Sequence, residues 1–340
     1  MDRRTFGGAF AAAVLVVGAG APAVAADISG AGATFPYPIY AKWAAAYKNE
    51  TGIGLNYQSI GSGGGIKQIQ ARTVTFGASD MPLEPAQLQK SALMQFPMIM
   101  GGVVPVVNLP GIEAGAVTLD GKTLAALYMG TITQWDDPAI AALNPDVKLP
   151  ALAVAPVYRS DGSGTNFLFT NYLSKVSEEF KSSIGANTSV QWPAGIGAKG
   201  NEGVANMTRQ TQGAIGYVEY AYVKQNKMTY AKLINSTGKA VEPSSASFQA
   251  AAAGADWANS DNFHVLLTDQ PGEASWPITG ASFILIPTEP KDATTTKVAL
   301  DFFRWAYEHG GDMASQLDYV PMPKDVVGLV EKAWSSSIKL

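Results

Sequence analysis

Short runs typical of β-strands alternate with helical patterns along most of the 340-residue chain. In the clearest helical pattern, Ile39, Trp43 and Tyr47 recur at four-residue steps and so share one face of a helix. Strands are predicted over residues 74–78, 102–107, 154–158, 214–218 and 283–286, and helices over residues 39–48, 65–72, 166–175, 298–308 and 324–334. This alternation predicts an α/β fold built from layers of helices and sheet, and the length favours two domains of about 150 residues each.

The composition excludes several classes of function. Hydrophobic residues make up 47% of the chain, so it can build sizeable cores and is not disordered throughout. The net charge of −4 provides no basic field for a nucleic acid. The absence of Cys excludes disulfides, thiolate zinc sites and a cysteine nucleophile. With His264 and His309 as the only histidines, we expect neither a metal nor a cofactor.

The first 26 residues are typical of an export signal. A basic head precedes an apolar run over residues 9–17, which is too short to span a bilayer as a helix. Ala23-Val24-Ala25 offers small residues to a signal peptidase, and we expect cleavage after Ala25 or Ala26 to leave an exported, soluble protein. The alternative is a transmembrane anchor. Residues 3–6 also resemble a twin-arginine signal, so the export route, Sec or twin-arginine, stays open.

Three glycine-rich turns come directly before predicted helices. They are residues 30–36 (Gly-Ala-Gly-Ala-Thr-Phe-Pro), 60–65 (Ile-Gly-Ser-Gly-Gly-Gly) and 159–165 (Arg-Ser-Asp-Gly-Ser-Gly-Thr). Each places Ser or Thr near a helix N-terminus, where free backbone N–H groups and the helix dipole favour an anion. One such turn alone is usually a helix cap, but three in one chain indicate an anion site. The spacing matches neither a P-loop nor a nucleophile elbow.

Two charged residues lie close to these turns in the sequence pattern. Arg159 ends a predicted strand and can bind an oxyanion through two parallel hydrogen bonds; the alternative is a surface ion pair with Asp161. Asp80 follows another strand, and a carboxylate in an anion site is useful if the ligand carries a proton that it can accept. Such a hydrogen bond can reject an analogue without the proton by about 10⁴–10⁵-fold. The alternative is that Asp80 is a turn or cap residue before Met81-Pro82.

The chain resembles the periplasmic phosphate-binding proteins of bacterial phosphate ABC transporters. The similar segments, which span essentially the whole mature chain, are residues 30–36, 57–69, 76–80, 119–124, 161–165, 213–222 and 276–279. The resemblance implies inorganic phosphate as the ligand, a periplasmic location and no enzymatic activity. It also implies an inner-membrane ABC permease and its ATPase complex as partners, and we expect a monomer in solution.

The resemblance assigns phosphate binding to eight residues, which are Thr34, Phe35, Ser62, Asp80, Arg159, Ser163, Gly164 and Thr165. In this assignment Asp80 accepts the proton of the ligand, and Arg159, oriented by Asp161, pairs with its oxygens. The other residues donate through backbone N–H or hydroxyl groups. Gly63 departs from the family pattern, in which a second Ser is common, so that Gly63 is a backbone donor at best.

The fold implied by the resemblance is a two-lobed type II periplasmic binding protein in which each lobe is α/β. Residues 27–103 and 280–340 would form lobe I and residues 104–279 lobe II, with the ligand cleft between them. The two crossing segments, near Val104 and Phe283, would form the hinge. Two alternatives are a receptor for another tetrahedral oxyanion, such as sulfate or molybdate, and, less favoured, an exported phosphatase.

Overall fold

The computed structural model describes residues 27–340, so the predicted export signal and its cleavage site lie outside the described residues. The strands are β1 Ile28–Gly32, β2 Leu55–Ser59, β3 Phe76–Ser79, β4 Leu93–Val107, β5 Thr118–Leu119, β6 Ala155–Arg159, β7 Ile196–Ala198, β8 Ala214–Glu219, β9 Thr229–Tyr230, β10 Lys232–Ile234, β11 Ala240–Val241, β12 Thr279–Pro287 and β13 Val320–Pro321. The helices are α1 Tyr37–Thr51, α2 Ser62–Gln70, α3 Pro85–Ser91, α4 Gly121–Met129, α5 Pro138–Leu143, α6 Gly164–Val176, α7 Glu178–Ser183, α8 Gly200–Gln210, α9 Tyr220–Asn226, α10 Ser245–Ala252, α11 Ala293–His309, α12 Gly311–Ser315 and α13 Lys324–Ser337. Between residues 27 and 340, no helix has the length and apolar character needed to cross a membrane.

The main sheet has ten strands in the order β2-β1-β3-β12-β4-β8-β6-β7, and β9 and β13 also pair with β4. Strand β1 is parallel to β2 and β3, and β6 is parallel to β7 and β8. Strand β12 is antiparallel to β3 and β4, and β4 is antiparallel to β8. Parallel strands followed by helices place the helix N-termini at the carboxyl ends of the strands, where α/β sheets bind ligands. The predicted α/β class is confirmed.

Strand β4 joins the two halves of the sheet. All of its 15 residues are buried. It pairs with β12 from Leu93 to Gly102 and with β8 from Val103 to Val107, so its partner changes between Gly102 and Val103. The predicted lobe boundary after residue 103 lies one residue beyond this change of partner, and the one after residue 279 lies at the first residue of β12, which pairs with Gly102. The division into two lobes and the hinge positions remain predictions.

The predicted elements are present, but β4 is much longer than the strand predicted over residues 102–107. Pro97 and Gly101 interrupt the sequence pattern, since Pro removes a ladder donor and Gly weakens a strand. Pairing with β12 and burial override these preferences. The pairing register of β12 with β4 shifts next to Pro97, between Ser282 and Phe283. Local pattern alone therefore locates the strand but not its N-terminal end.

Helix α1 packs as its four-residue repeat predicts. The side chains of Ile39, Trp43 and Tyr47 are buried. The Tyr47 ring lies edge-on to Phe302 of α11, at 5.2 Å between ring centroids. Nearer the start of α1, the Tyr40 ring lies edge-on to Tyr57 of β2 at 5.3 Å between ring centroids, so the end of α1 that follows the first glycine-rich turn packs against the sheet.

Candidate functional site

Ser62, at the start of α2, brings two of the glycine-rich turns together. Its side chain is fully buried, and its Oγ accepts the backbone N–H of Gly164 at 3.0 Å and that of Asp80 at 3.2 Å. Beside it, the Gly63 N–H donates to the Gly162 carbonyl at 2.8 Å. The bonds from Gly164 and to Gly162 join segments that the prediction assigns to different lobes, whereas the bond from Asp80 lies within predicted lobe I. The Gly63 N–H is engaged in its hydrogen bond to the Gly162 carbonyl.

Gly164 lies directly against Asp80. A Cβ on Gly164 would stand 2.5 Å from Ser62 Oγ and 2.6 Å from Asp80 Oδ2, distances that no real side chain tolerates. The Asp80 carboxyl group therefore lies at the N-terminus of α6. The acid and the third glycine-rich turn belong to one site, as the predicted acceptor role of Asp80 requires.

Asp80 has one carboxyl oxygen engaged and one without a partner. It is 1% exposed, and its Oδ1 accepts the Ser282 hydroxyl at 2.8 Å. Its Oδ2 is buried and has no hydrogen-bond partner among residues 27–340. Burial raises the pKa of Asp80 from 3.8 to about 7, against the opposing effects of the Ser282 hydrogen bond and the Arg159 charge. Oδ2 is thus available to accept an O–H from a ligand.

Arg159 is buried and pairs with the partly buried Asp161, whereas the alternative interpretation was an ion pair on the surface. Arg159 is 3% exposed, and its Nε and Nη2 donate to the Asp161 carboxylate at 2.8 and 2.6 Å. Burial alone would raise the pKa of Asp161, but the hydrogen bonds and charge of Arg159 outweigh it and lower that pKa. The third guanidinium nitrogen, Nη1, is buried and unpaired within the described part of the chain. Asp161 therefore orients a guanidinium that keeps a donor free.

Several backbone N–H groups around Ser62 are also free. Those of Thr34, Phe35, Ser62 and Thr165 donate to no acceptor in the described chain. Ser163 differs from the prediction, because its N–H donates to the Thr188 carbonyl at 2.8 Å and its Oγ accepts the Asn166 N–H at 3.0 Å. Ser163 caps α6 and has only its hydroxyl hydrogen to offer a ligand. The site combines neutral donors, one guanidinium and one acid.

Asn201 lies outside the set of residues predicted from the sequence. At the N-terminus of α8, its Nδ2 contacts the hydroxyl oxygens of Thr34 at 2.6 Å and Thr165 at 3.2 Å. Its Oδ1 accepts the Glu219 N–H at 2.8 Å. Asn201 therefore ties together two hydroxyls that belong to different glycine-rich turns. No local sequence signal marks Asn201, because the segment leading into α8, Ala198-Lys199-Gly200, contains a lysine and no hydroxyl residue.

Two buried tyrosines hold the backbone of the first turn. The Tyr222 hydroxyl donates to the Thr34 carbonyl at 2.7 Å, and the Tyr319 hydroxyl lies 2.6 Å from the Phe35 carbonyl and 2.9 Å from Glu219 Oε2. In a trans peptide, C=O and N–H point in opposite directions. Fixing the Thr34 carbonyl therefore also fixes the direction of the Phe35 N–H.

A cavity of about 280 Å³ adjoins the site. It is lined by Thr34, Ser59, Ile60, Asp161, Lys199, Gly200 and Glu202. His264 contacts Glu84 at 3.2 Å and His309 contacts the Trp305 carbonyl at 3.2 Å, so neither histidine touches the site residues. From residue 27 onward, no group of three or more His, Asp or Glu side chains is placed to hold a metal ion.

The raised pKa of Asp80 makes the stability of the ligand-free protein depend on pH. A carboxyl with a pKa of about 7 when folded and 3.8 when unfolded binds its proton more tightly in the folded state. Its stabilising effect is therefore complete below about pH 4 and is lost as the pH rises to about 7. Asp80→Asn removes this titration. The quantity to compare is the Tm of Asp80→Asn minus the Tm of wild type, in phosphate-free buffer. We expect this difference to be several degrees larger at about pH 8 than at about pH 4.

Thermal melts of both proteins at the two pH values check this expectation. The relevant quantity is the change in the difference between the two Tm values, because other effects of the substitution do not titrate in this range. An equal difference at both pH values contradicts the raised pKa.

Most of the chain is similar in sequence to known proteins. Residues 17–309 match the family model described as a PBP superfamily domain. The chain is 53% identical over 312 residues to the phosphate-binding protein PstS of Xylella fastidiosa, covering 92% of this chain and 86% of that protein. It is 52% identical over 326 residues to the phosphate-binding protein PstS of Haemophilus influenzae, covering 96% and 98%.

A solved structure shows the fold independently. The phosphate-binding protein of Stenotrophomonas maltophilia superposes with a TM-score of 0.70 at 22% identity, covering 92% of this chain and 95% of that one. This likeness supports the predicted type II periplasmic binding protein fold. The chain therefore belongs to the PBP superfamily and, within it, to the family of the phosphate-binding proteins.

Proposed function

We propose that this protein binds inorganic phosphate in the periplasm and delivers it to an inner-membrane ABC permease with its ATPase complex. The proposed ligands are Thr34, Phe35, Ser62, Asp80, Arg159, Ser163, Gly164 and Thr165, with Asp161 orienting Arg159. The Gly164 N–H, which donates to Ser62 Oγ at 3.0 Å, has to leave that acceptor to bind the ligand. The observation that carries the proposal is the buried Oδ2 of Asp80, unpartnered within residues 27–340 and placed against Gly164. A lone acid among anion-binding donors suits a ligand that is both anionic and protonated.

The donors that the described residues leave free support burial of a charged ligand. A charge removed from water is very costly unless hydrogen bonds replace its hydration. Arg159 Nη1 and the N–H groups of Thr34, Phe35, Ser62 and Thr165 provide such hydrogen bonds. The N-termini of α2 and α6 add their helix dipoles. Because Arg159 is the one cation proposed as a ligand and is itself paired with Asp161, neutral donors carry most of the binding.

Asp80 supplies the proposed preference for phosphate over sulfate and molybdate. Phosphate keeps a proton at neutral pH, which Oδ2 can accept, whereas sulfate and molybdate present only acceptor oxygens. Two acceptors facing each other in a buried site are left unpaired, and this is the kind of mismatch that gives the largest discrimination. The alternative of a sulfate or molybdate receptor is therefore disfavoured by the position of Asp80.

We further propose that the site lies between two lobes, residues 27–103 with 280–340 and residues 104–279, which close around the ligand on a hinge near Val104 and Phe283. In this division, the hydrogen bonds that the Gly164 N–H donates to Ser62 Oγ and that Asn201 Nδ2 donates to the Thr34 hydroxyl oxygen would cross the cleft. Binding between domains and hinge closure are common for small ligands, and periplasmic binding proteins are the standard example of such closure.

Binding without hydrolysis is favoured over the phosphatase alternative. Two-metal phosphate chemistry needs several His and carboxylate ligands around the ligand. The contacts of His264 and His309 lie away from the site, and Asp80 and Asp161 are its proposed carboxylates. Assay of p-nitrophenyl phosphate with added divalent metals tests this point, and turnover contradicts the proposal.

Titration calorimetry of the mature protein with phosphate and with sulfate tests the proposed function. We expect tight phosphate binding and negligible sulfate binding, because only phosphate satisfies Asp80 Oδ2. Comparable affinity for the two anions contradicts the proposed role of Asp80.

A further inference from the structure

Ser282 is a buried serine to which neither sequence pattern nor family resemblance assigns a role. It lies on β12 and is 0% exposed. Its hydroxyl donates to Asp80 Oδ1 at 2.8 Å. Among residues 27–340, this is the only hydrogen bond made to either carboxyl oxygen of Asp80.

The sheet explains why Ser282 faces Asp80. Strand β12 runs antiparallel to β3, with Ile284 opposite Ala78 and Phe283 opposite Ser79. The next position in this register brings Ser282 opposite Asp80. On the other edge of β12, the pairing with β4 shifts between Ser282 and Phe283, and such bulges commonly redirect a side chain beside a functional site. The contact is built into the strand pairing rather than into a mobile loop.

Engagement of Oδ1 decides which oxygen of Asp80 meets a ligand. Oδ2 is buried and unpartnered in the described chain, and a Cβ on Gly164 would stand 2.6 Å from it. Because the Ser282 hydroxyl is a donor, it matches an ionised carboxylate better than a protonated one. The Ser282 hydroxyl therefore fixes the direction of Oδ2 and contributes to keeping the acid in its acceptor state.

We propose that Ser282 is a specificity-determining positioning residue: by donating to Oδ1, it holds Asp80 as an acceptor and presents Oδ2 to the O–H of the ligand. The inference rests on the proposed phosphate site. Without Ser282, Asp80 is more readily protonated and then offers a donor at Oδ2. A donor at Oδ2 can bond to an oxygen of sulfate, but it cannot accept the O–H of phosphate.

The ionisation of Asp80 also depends on other groups around it. Burial raises the pKa of Asp80, and Ser282 followed by Arg159 lowers it. The remaining titratable groups coupled to it by charge are Glu219 on β8, Tyr40 on α1, Tyr57 on β2 and Tyr319 next to β13. Burial raises the pKa of all four, which favours their neutral forms. Ser282 and Arg159 are thus the two groups that favour the ionised acid.

Calorimetric titration of the mature protein with phosphate and with sulfate, from about pH 6 to about pH 9, tests the inference. For Ser282→Ala we expect phosphate affinity to fall about tenfold near pH 7, with the loss shrinking toward pH 9 as Asp80 ionises. The ratio of phosphate to sulfate affinity should fall at least as much. Ser282→Cys, which keeps a weak donor of similar size, should give a smaller change in the same direction.

Thr279→Val is the matched control. Thr279 is a buried hydroxyl on the same strand, but it donates to the Trp276 carbonyl at 3.0 Å and makes no hydrogen bond to Asp80. We expect this variant to keep the wild-type ratio and pH profile, which would separate the role of Ser282 from general loss of a buried hydroxyl.

Two results overturn the inference while leaving the proposed function intact. One is a Ser282→Ala protein whose anion ratio and pH profile match those of wild type. The other is an equal loss of phosphate and sulfate affinity at every pH, which marks a purely structural role. Wild-type protein with no preference for phosphate overturns the proposed function itself, and the inference with it. If Ser282→Ala does not fold, the same comparison of anion ratio and pH profile with wild type is made on Ser282→Cys.

Discussion

Replacing Asp80 by Asn is expected to reduce the preference of this protein for phosphate over sulfate by about 10⁴-fold. The amide has the shape of the carboxyl group, and its oxygen can still accept the Ser282 hydroxyl that now bonds Oδ1 at 2.8 Å. The amide nitrogen then takes the place of Oδ2, beside Gly164. An acceptor becomes a donor, so sulfate gains a hydrogen bond and phosphate loses the acceptor for its proton.

The measurement is calorimetric titration of wild type and Asp80→Asn with both anions in the same buffer. Asp301→Asn is the control, because Asp301 forms ion pairs with Lys297 and Arg304 on exposed parts of α11. It should leave both affinities unchanged. If Asp80→Asn keeps the wild-type ratio, some other group recognises the proton of the ligand.

Replacing Arg159 by Ala is expected to weaken phosphate binding by about 2–5 kcal/mol. The substitution removes the free donor at Nη1. It also leaves the Asp161 carboxylate, now bound at 2.8 and 2.6 Å, without its guanidinium partner. An uncompensated carboxylate beside a buried anion adds repulsion to the lost hydrogen bonds.

Phosphate titrations of Arg159→Ala and Arg159→Lys check this prediction. Lysine keeps the charge but cannot bind Asp161 through two parallel bonds while also reaching the ligand, so an intermediate loss is expected. Arg304→Ala, at a partly exposed arginine of α11, is the control and should bind as wild type does. An Arg159→Ala affinity equal to that of wild type contradicts a ligand role for this residue.

The alternation of strand and helix patterns was sufficient to predict the fold class, because each element carries its own local signal. The ends of β4 required more information. Residues 93–101 contain Pro97 and Gly101, and they form a strand because β12, nearly 200 residues later in the chain, pairs with them. Local patterns do not contain that pairing.

Local sequence likewise predicts some residues of the candidate site and not others. The glycine-rich turns are recognisable because anion binding at a helix N-terminus requires small residues and hydroxyls in consecutive positions. Roles within the turns came from family resemblance, and the structure refines two of them, since the Ser163 N–H donates to the Thr188 carbonyl and the Gly164 N–H donates to Ser62 Oγ. Asn201 and Ser282 could not be predicted, because their contacts depend on the meeting of distant segments and on strand register.

Sequence spacing left two interpretations open for Asp80 and two for Arg159. The contacts and burial of these residues in the structure distinguish between them. The hydroxyl of Ser79, rather than the Asp80 side chain, makes the turn bonds to Met81. Asp80 thus has no capping role and keeps an oxygen for a ligand. Arg159 does pair with Asp161, as one interpretation held, but Arg159 is buried and Asp161 partly buried, rather than both lying on the surface.

A crystal structure of the mature protein grown with phosphate tests the central claim most directly. The claim predicts one phosphate oxygen within about 3 Å of Asp80 Oδ2. It predicts the other oxygens at the same distance from Arg159 Nη1 and from the free N–H groups of Thr34, Phe35, Ser62 and Thr165. Phosphate bound elsewhere, or bound here with no oxygen in contact with Asp80, contradicts it.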